Sequence, residues 1–262
     1  MAEGQNFFTD GAAYERMMGR WSTAAGGVFL DWLAQPKGLR WLDVGCGTGA
    51  FTELIIARCE PAEVQALDPS EAQLAFARTR PGASLAHFRQ GDAQALPFAD
   101  DSFDAAVMAL VINFIPDPAK AVAEMARIVR PGGWLATYMW DVASGGSPTE
   151  PLTAGLRSMG VAHPTPPSIA ASRQDNMRAL WEEARLQSID TRVIRVPIAY
   201  PSFDDFWAAN IVVGPAGQAI REMSPSAREQ FKDHLRGQLP KDPDGGIAYT
   251  AHANAVKGQV PG

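Results

Sequence analysis

Cysteine is scarce in this chain. Cys46 and Cys59 are the only two among 262 residues. A predicted helix of about ten residues lies between them, a rise of roughly 15 Å, too far for a disulfide. Both are therefore expected as reduced thiols, and the compartment as cytoplasmic. Histidine is scarce too. His87, His163, His234 and His252 show no ligand spacing with cysteines or acids, so no metal site is expected. Basic excess is missing: the net charge of −6 argues against the broad positive footprint of a nucleic-acid binder. The longest apolar run, Ala105 to Ile115, is too short to cross a bilayer and suits a buried strand. The opening MAEGQNFFTD lacks the basic-then-apolar order of a signal peptide. No internal repeat, low-complexity tract or interdomain linker is visible, so residues 1–262 are expected to form one domain.

Composition is otherwise ordinary, with 46% hydrophobic and 20% charged residues, enough for a core that needs no staples. Along the chain, AYERMMGRWSTAAGGVFLDWLAQ reads as helix in two pieces, with Val28, Phe29, Trp32 and Leu33 on one face. Strands and helices then alternate: LRWLDV, GAFTELIIARC, AEVQALD, PSEAQLAFARTR with Leu74, Phe76 and Ala77 inside, ASLAHFRQGD, and SFDAAVMALVINFI. DPAKAVAEMARIVR is an amphipathic helix with Val122, Met125, Ile128 and Val129 buried, and PGGWLATYMWD a fifth strand. Such alternation is the pattern of a doubly wound parallel sheet, whose ligands sit beyond the carboxyl ends of the strands. After Val142 the pattern breaks. Gly-, Pro- and Ser-rich stretches bracket a weak helix over Leu152 to Met159. DNMRALWEEARL follows as helix, SIDTRVIRVPIAY as strand, SFDDFWAANIV and SPSAREQFKDHLRGQL as helices, and GGIAYTAHANAVKGQV as a closing strand.

The chemistry concentrates in three loops at one sheet edge. LDVGCGTGAF places Gly45, Gly47 and Gly49 in a G-x-G-x-G pattern after the first strand, one residue tighter than the usual dinucleotide G-x-G-x-x-G. Asp43, two residues before the first glycine, puts negative charge where a pyrophosphate needs positive potential, and suits an ammonium group. Asp68 ends the second strand, where a carboxylate can accept from a ribose diol or cap the next helix. Asp92 follows the third strand, placed to accept from an adenine amine. Together these describe a ligand with an amine, a ribose and an adenine but no phosphate, as in S-adenosylmethionine.

At WLDVGCGTG, ALDPS, GDAQALPFADDSFDAAV and EMARIVRPGGWL, over Arg40 to Trp140, the sequence resembles the class I S-adenosylmethionine-dependent methyltransferases, and among them the type 11, ubiquinone/menaquinone-type branch. YERMMGRWS, FDDFW and IAYTAHANAVKG are similar to a subgroup of that branch. The resemblance implies an α/β, Rossmann-like, mostly parallel seven-stranded sheet, with an entry segment at 1–38, a cofactor core at 39–141 and substrate-cap insertions at 142–175 and 203–240. It implies that Asp43, Gly45 and Gly47 hold the methionine moiety, with Cys46 and Gly49 completing the loop. Asp68, followed by Pro69, then holds the ribose. Asp92 and Ala93 flank the adenine, Leu110 lies near the ring or ribose, and Tyr14 and Arg20 close over the cofactor. Many relatives carry a histidine after the fourth strand, where this chain has Ile112 and Asn113.

On the acceptor side, Trp140 and Asp141 end the fifth strand beside the expected methyl group; Asp141 could be a general base or cap the next segment. Phe203, Phe206 and Trp207 fall at helical spacing, as core or as a lid over an apolar substrate. His163 lies in a Pro-rich loop; it reads as a solvated loop residue, with a place at the active site as the alternative. The expected activity is methyl transfer to a small, partly apolar molecule by in-line displacement, with the attacking atom left open among carbon, nitrogen, oxygen and sulfur. A nicotinamide-dependent oxidoreductase and a non-catalytic S-adenosylmethionine-binding module are the alternatives. No nucleic-acid or membrane partner is expected, and the sequence is silent on oligomeric state.

Overall fold

The computed structural model describes residues 19–211 and 214–262. Helix α1 (Arg20–Leu33) buries Trp21, Ala25, Phe29 and Leu33, one residue every turn. Val28, expected on that face, is 38% exposed, so the stripe runs one residue further round. Ala34 then turns left-handed and returns its N–H to the Leu30 carbonyl, which ends the helix. Phe29 meets Phe51 and Tyr138 at ring-centroid distances of 5.9 and 4.7 Å and so fixes α1 against the sheet.

The strands are β1 (Arg40–Val44), β2 (Glu63–Asp68), β3 (Ala86–Gln90), β4 (Phe103–Ala109), β5 (Val129–Trp140), β6 (Gln187–Tyr200) and β7 (Ile247–Gln259). They form one seven-stranded sheet in the order β3-β2-β1-β4-β5-β7-β6. The β1, β2, β3, β4 and β5 pairings are parallel, whereas β7 runs antiparallel to both β5 and β6. Trp41, Leu42 and Val44 of β1 are fully buried, as a central parallel strand covered on both faces requires. The apolar run that reads as a long β4 is strand only to Ala109. Leu110 takes a positive φ of 62°, and a 3-10 turn follows at Ile112–Phe114.

The crossover helices are α2 (Ala50–Cys59), α3 (Glu71–Ala77) and α4 (Pro118–Ile128). Helix α3 starts at Ser70, whose hydroxyl accepts from the Gln73 N–H at 3.4 Å. It buries Gln73, Leu74 and Ala77, while Phe76, expected inside, is only partly covered. Helix α4 starts at Asp117, which accepts from Lys120 N–H at 3.0 Å, and buries Ala121, Val122, Met125 and Ile128.

After β5 come α5 (Glu150–Ser158), a 3-10 turn at Ile169–Ser172 and α6 (Gln174–Glu183). Between β6 and β7 lie α7 (Phe203–Asn210), α8 (Gly214–Glu222) and α9 (Pro225–Gln238). Helix α8 has no counterpart in the sequence reading, because GPAGQAIRE opens with helix-breaking residues. The register explains where this second insertion goes. Trp140, the last residue of β5, pairs with Ala253, while β7 begins at Ile247 opposite Tyr200. The β6–β7 ribbon therefore overshoots the carboxyl end of β5 by roughly 20 Å. It carries α7, α8 and α9 out over the same rim to which β1, β2 and β4 deliver their loops.

Candidate active site

The glycine loop after β1 is held open by backbone geometry. Gly45, Gly47 and Gly49 have φ of 74°, 52° and 78°. A Cβ at Gly45 would lie 2.6 Å from Val111 Cγ1, so no larger residue fits there. A Cβ at Gly47 would meet nothing within 4 Å; that side faces open space. Gly45 and Cys46 donate their N–H groups to the Leu67 carbonyl at 2.7 and 3.0 Å, tying the loop to β2.

Asp68, at the end of β2, is 8% exposed and accepts through both oxygens: Oδ2 from Gly47 N–H at 2.9 Å and Oδ1 from Ser70 N–H at 2.8 Å. Burial raises its pKa against the pull of those two amides. Ser70, not Asp68, is the α3 cap. Asp43 lies beneath the loop, fully buried, where Oδ2 accepts from the Thr52 hydroxyl at 2.6 Å. Burial pushes its carboxyl up to about 7; Thr52 lowers it and the charge of Asp68 raises it. Burial likewise drives the Cys46 thiol well upward, which makes it unreactive.

These loops open into one cavity of about 1340 Å³. Of the residues singled out in the sequence, Gly45, Cys46, Gly47, Asp68, Pro69, Asp92, Ala93, Leu110 and Trp140 line it. Asp92 Oδ1 accepts from the Gln94 N–H at 2.9 Å and shapes the loop after β3. The opposite wall comes from the two insertions: Glu150, Thr153 and Arg157 of α5, His163 to Pro166, Arg173, Asn210 at the end of α7, and the first turn of α8.

A family profile described as "Methyltransferase domain" (type 11) matches residues 42–137. The O-methyltransferase cnsE of Penicillium expansum is 32% identical over 203 residues, covering 75% of this chain and 70% of that protein. The chain belongs to the class I S-adenosylmethionine-dependent methyltransferases. The malonyl-[acyl-carrier protein] O-methyltransferase of Methylococcus capsulatus is 42% identical over 102 residues, which is 38% of this chain and 37% of that one. This methyltransferase spans less than half the length of the first curated relatives it matches. The YcgJ protein of Bacillus subtilis shares the fold, with a TM-score of 0.62 at 20% identity over 91% of this chain and 98% of that one.

S-adenosylmethionine is the methyl donor of this family, and the rim of the methyltransferase fits it. Gly47 is bare where a ligand must approach the backbone. Each Asp68 oxygen, holding one amide, keeps a lone pair for a ribose hydroxyl. Asp92 and Ala93 line the wall beyond it. Asn113, fully buried against the cavity, has neither side-chain amide atom hydrogen-bonded, and the Trp140 indole N–H is equally unpaired. Groups left so are open to a hydrogen bond from water or from a molecule bound in the cavity.

Several expectations need correction. Asp43 does not line the cavity: it braces the loop from below, and at its raised pKa it is no fixed counter-charge for an ammonium group. Gly49 packs against Ala77 and Phe88, because the α2 helix starts there and turns away. Asp141 faces a separate depression beside His252, 3.5 Å away, and its Oδ1 accepts from Ser144 N–H; capping is its role here. Trp207 is core. It stacks on Phe203, meets Phe231 with ring centroids 6.0 Å apart, and leaves Asn210 as the α7 residue that reaches the cavity. Two arginines of the first insertion, Arg157 and Arg173, also reach the cavity wall. Tyr14 and the side chain of Arg20 lie outside the described residues.

Sequence reasoning missed Asn113, Glu150 and Arg157, and for His163 favoured solvent over the site that its loop does reach. Only Asn113 carried a signal: a polar residue at the end of the most apolar run in the chain.

Proposed function

We propose that this protein transfers a methyl group from S-adenosylmethionine to a small, partly apolar acceptor. One observation supports the reading above others: the cofactor rim and the capped chamber are a single cavity. A pocket for one drug-sized ligand runs to roughly 300–1000 Å³, and this one, at about 1340 Å³, is larger. It can hold the cofactor and a second molecule in contact. Phe51, Leu54, Tyr138, Trp140 and Ile169 supply its apolar wall.

The sulfonium is already a strong electrophile, so the protein's task is alignment. Asp68 and the glycine loop fix the donor; the α5 and α8 wall holds the acceptor opposite. Near-attack alignment of two bound reactants supplies up to ~7–11 kcal/mol of the barrier. Exclusion of water by the insertions keeps the charged centre from solvent.

Cys46 and Cys59 are free thiols, and among the described residues no helix is long and apolar enough to cross a membrane. The free thiols support a reducing, cytoplasmic compartment, and the net charge of −6 supports a small-molecule acceptor over nucleic acid. The test is incubation with methyl-labelled S-adenosylmethionine and a metabolite extract, followed by mass detection. The reading predicts at least one labelled small product that depends on the protein. Label released only by hydrolysis, or found only on macromolecules, would contradict it.

A further inference from the structure

The chamber wall contains one imidazole. His163 lies in the stretch after α5, followed by Pro164, Thr165 and Pro166, all of which line the cavity. The two prolines restrict the backbone there and so limit where the ring can go.

Transfer to an oxygen or nitrogen that still carries its proton needs a base within reach. The other ionisable groups on the wall are poor candidates. Arg157 and Arg173 have no acceptor to offer. Glu150 is paired with the Arg157 guanidinium through Oε1, and its Oε2 accepts from the Thr153 hydroxyl at 2.8 Å, so its charge is directed at its own helix. Asp68 is held by two backbone amides at the rim, and Asp92 belongs to the rim loop after β3, where Oδ1 accepts from the Gln94 N–H. The Cys46 thiol stays protonated. Asp141 faces another depression.

We propose that His163 is the general base of the reaction, receiving the proton of an acceptor O–H or N–H as that atom attacks the methyl carbon. The new bond joins the acceptor heteroatom to carbon. The sulfur–methyl bond breaks with its electron pair left on sulfur, and the proton leaves as imidazolium. The acceptor is thereby a protic oxygen or nitrogen compound, such as a phenol, rather than a carbon or thiolate nucleophile. This rests on the methyltransferase reading above.

The surroundings suit the role. The His163 ring makes no hydrogen bond among the described residues, so a nitrogen lone pair is available. Burial lowers its pKa from the ordinary 6.5, the Arg157 charge lowers it further, and Glu150 opposes both. Arg173, the remaining cation on the wall, is paired with Asp175. The imidazole is therefore the neutral, proton-accepting form at neutral pH.

The test follows methyl transfer from S-adenosylmethionine to 4-nitrophenol by the full chain, read as loss of phenolate absorbance after adjusting samples to alkaline pH. At slightly acidic pH, where the probe keeps its proton, His163→Gln is expected to slow transfer by about tenfold or more. At alkaline pH, where the nucleophile is already phenolate and needs no base, the two proteins are expected to differ little, and both should bind S-adenosylhomocysteine equally tightly. In the NMR spectrum, the imidazole resonance absent from His163→Gln should move when probe is added to the wild-type complex. Equal rates in the two proteins at acidic pH, the same loss at both pH values, or no transfer by a wild type that binds S-adenosylhomocysteine, overturns the proposal. Failure of the wild type to bind S-adenosylhomocysteine would instead remove the methyltransferase reading itself, and the base with it.

Discussion

The two ends of the cavity are built by different means. At the rim, recognition belongs to the backbone. Gly45 and Gly47, with positive φ, and one carboxylate, Asp68, held in place by the amides of Gly47 and Ser70, make the surface there. At the wall, recognition belongs to side chains from segments far apart in sequence: Arg157 from α5, His163 from the stretch after it, Asn210 from α7 and the first turn of α8. The rim is held to one geometry by backbone conformation. On the proposed function, the rim takes the methyl donor and the wall takes the acceptor.

The contrast can be broken most severely at Trp207. If the α7 aromatics are the core of the insertion, Trp207→Ala costs about 3–5 kcal/mol of stability and leaves cofactor affinity alone. Denaturant unfolding alongside calorimetry checks this. A normal unfolding midpoint with weakened acceptor binding would restore the lid.

A pair of glycines sharpens the rim. Gly47→Ala should cost only the strain of a positive φ, about 1–2 kcal/mol, yet weaken cofactor binding, because its Cβ projects into the open site. Gly45→Ala adds the overlap with Val111, a further 1–3 kcal/mol or so. Unfolding curves showing equal stability for the two variants would mean that the loop is softer than its contacts imply.

Asn113 joins the two ends. Asn113→Leu removes an amide that is buried and unpaired, so unfolding free energy should rise by about 1 kcal/mol while methyl transfer falls. A variant that loses stability would show that the amide has a partner within the fold.

A further effect is a slope with pH. Asp43 releases its proton near 3.8 when unfolded but near 7 when folded. Between those values the native state binds more protons, so stability declines as pH rises through that window. Asp68, with its pKa also raised, acts in the same sense. Asp43→Asn should flatten this decline, as followed by thermal melts across the pH series.

The same division sets what the sequence discloses. The alternation from β1 to β5 is legible because buried parallel strands and amphipathic crossovers impose simple periods, as at Val122, Met125 and Ile128. The G-x-G-x-G loop, Asp68 and Asp92 are legible because backbone geometry forces small or acidic residues into fixed places. Leu110 is not: only tertiary contacts hold a leucine at φ 62°, so the end of β4 reads as strand. Asp43 misleads because its neighbours in sequence do not reveal its depth. Helix α8 is hidden by its glycines and proline. The wall around His163 is assembled only when the β6–β7 ribbon overshoots the sheet, a register no local pattern encodes.

The most direct measurement is calorimetric titration of S-adenosylmethionine into the wild type and Asp68→Ala. One saturable site, weakened in the variant by about 1.5–3 kcal/mol with its unfolding midpoint little changed, is the predicted result. No binding to the wild type, or the same affinity in both proteins, would contradict the account.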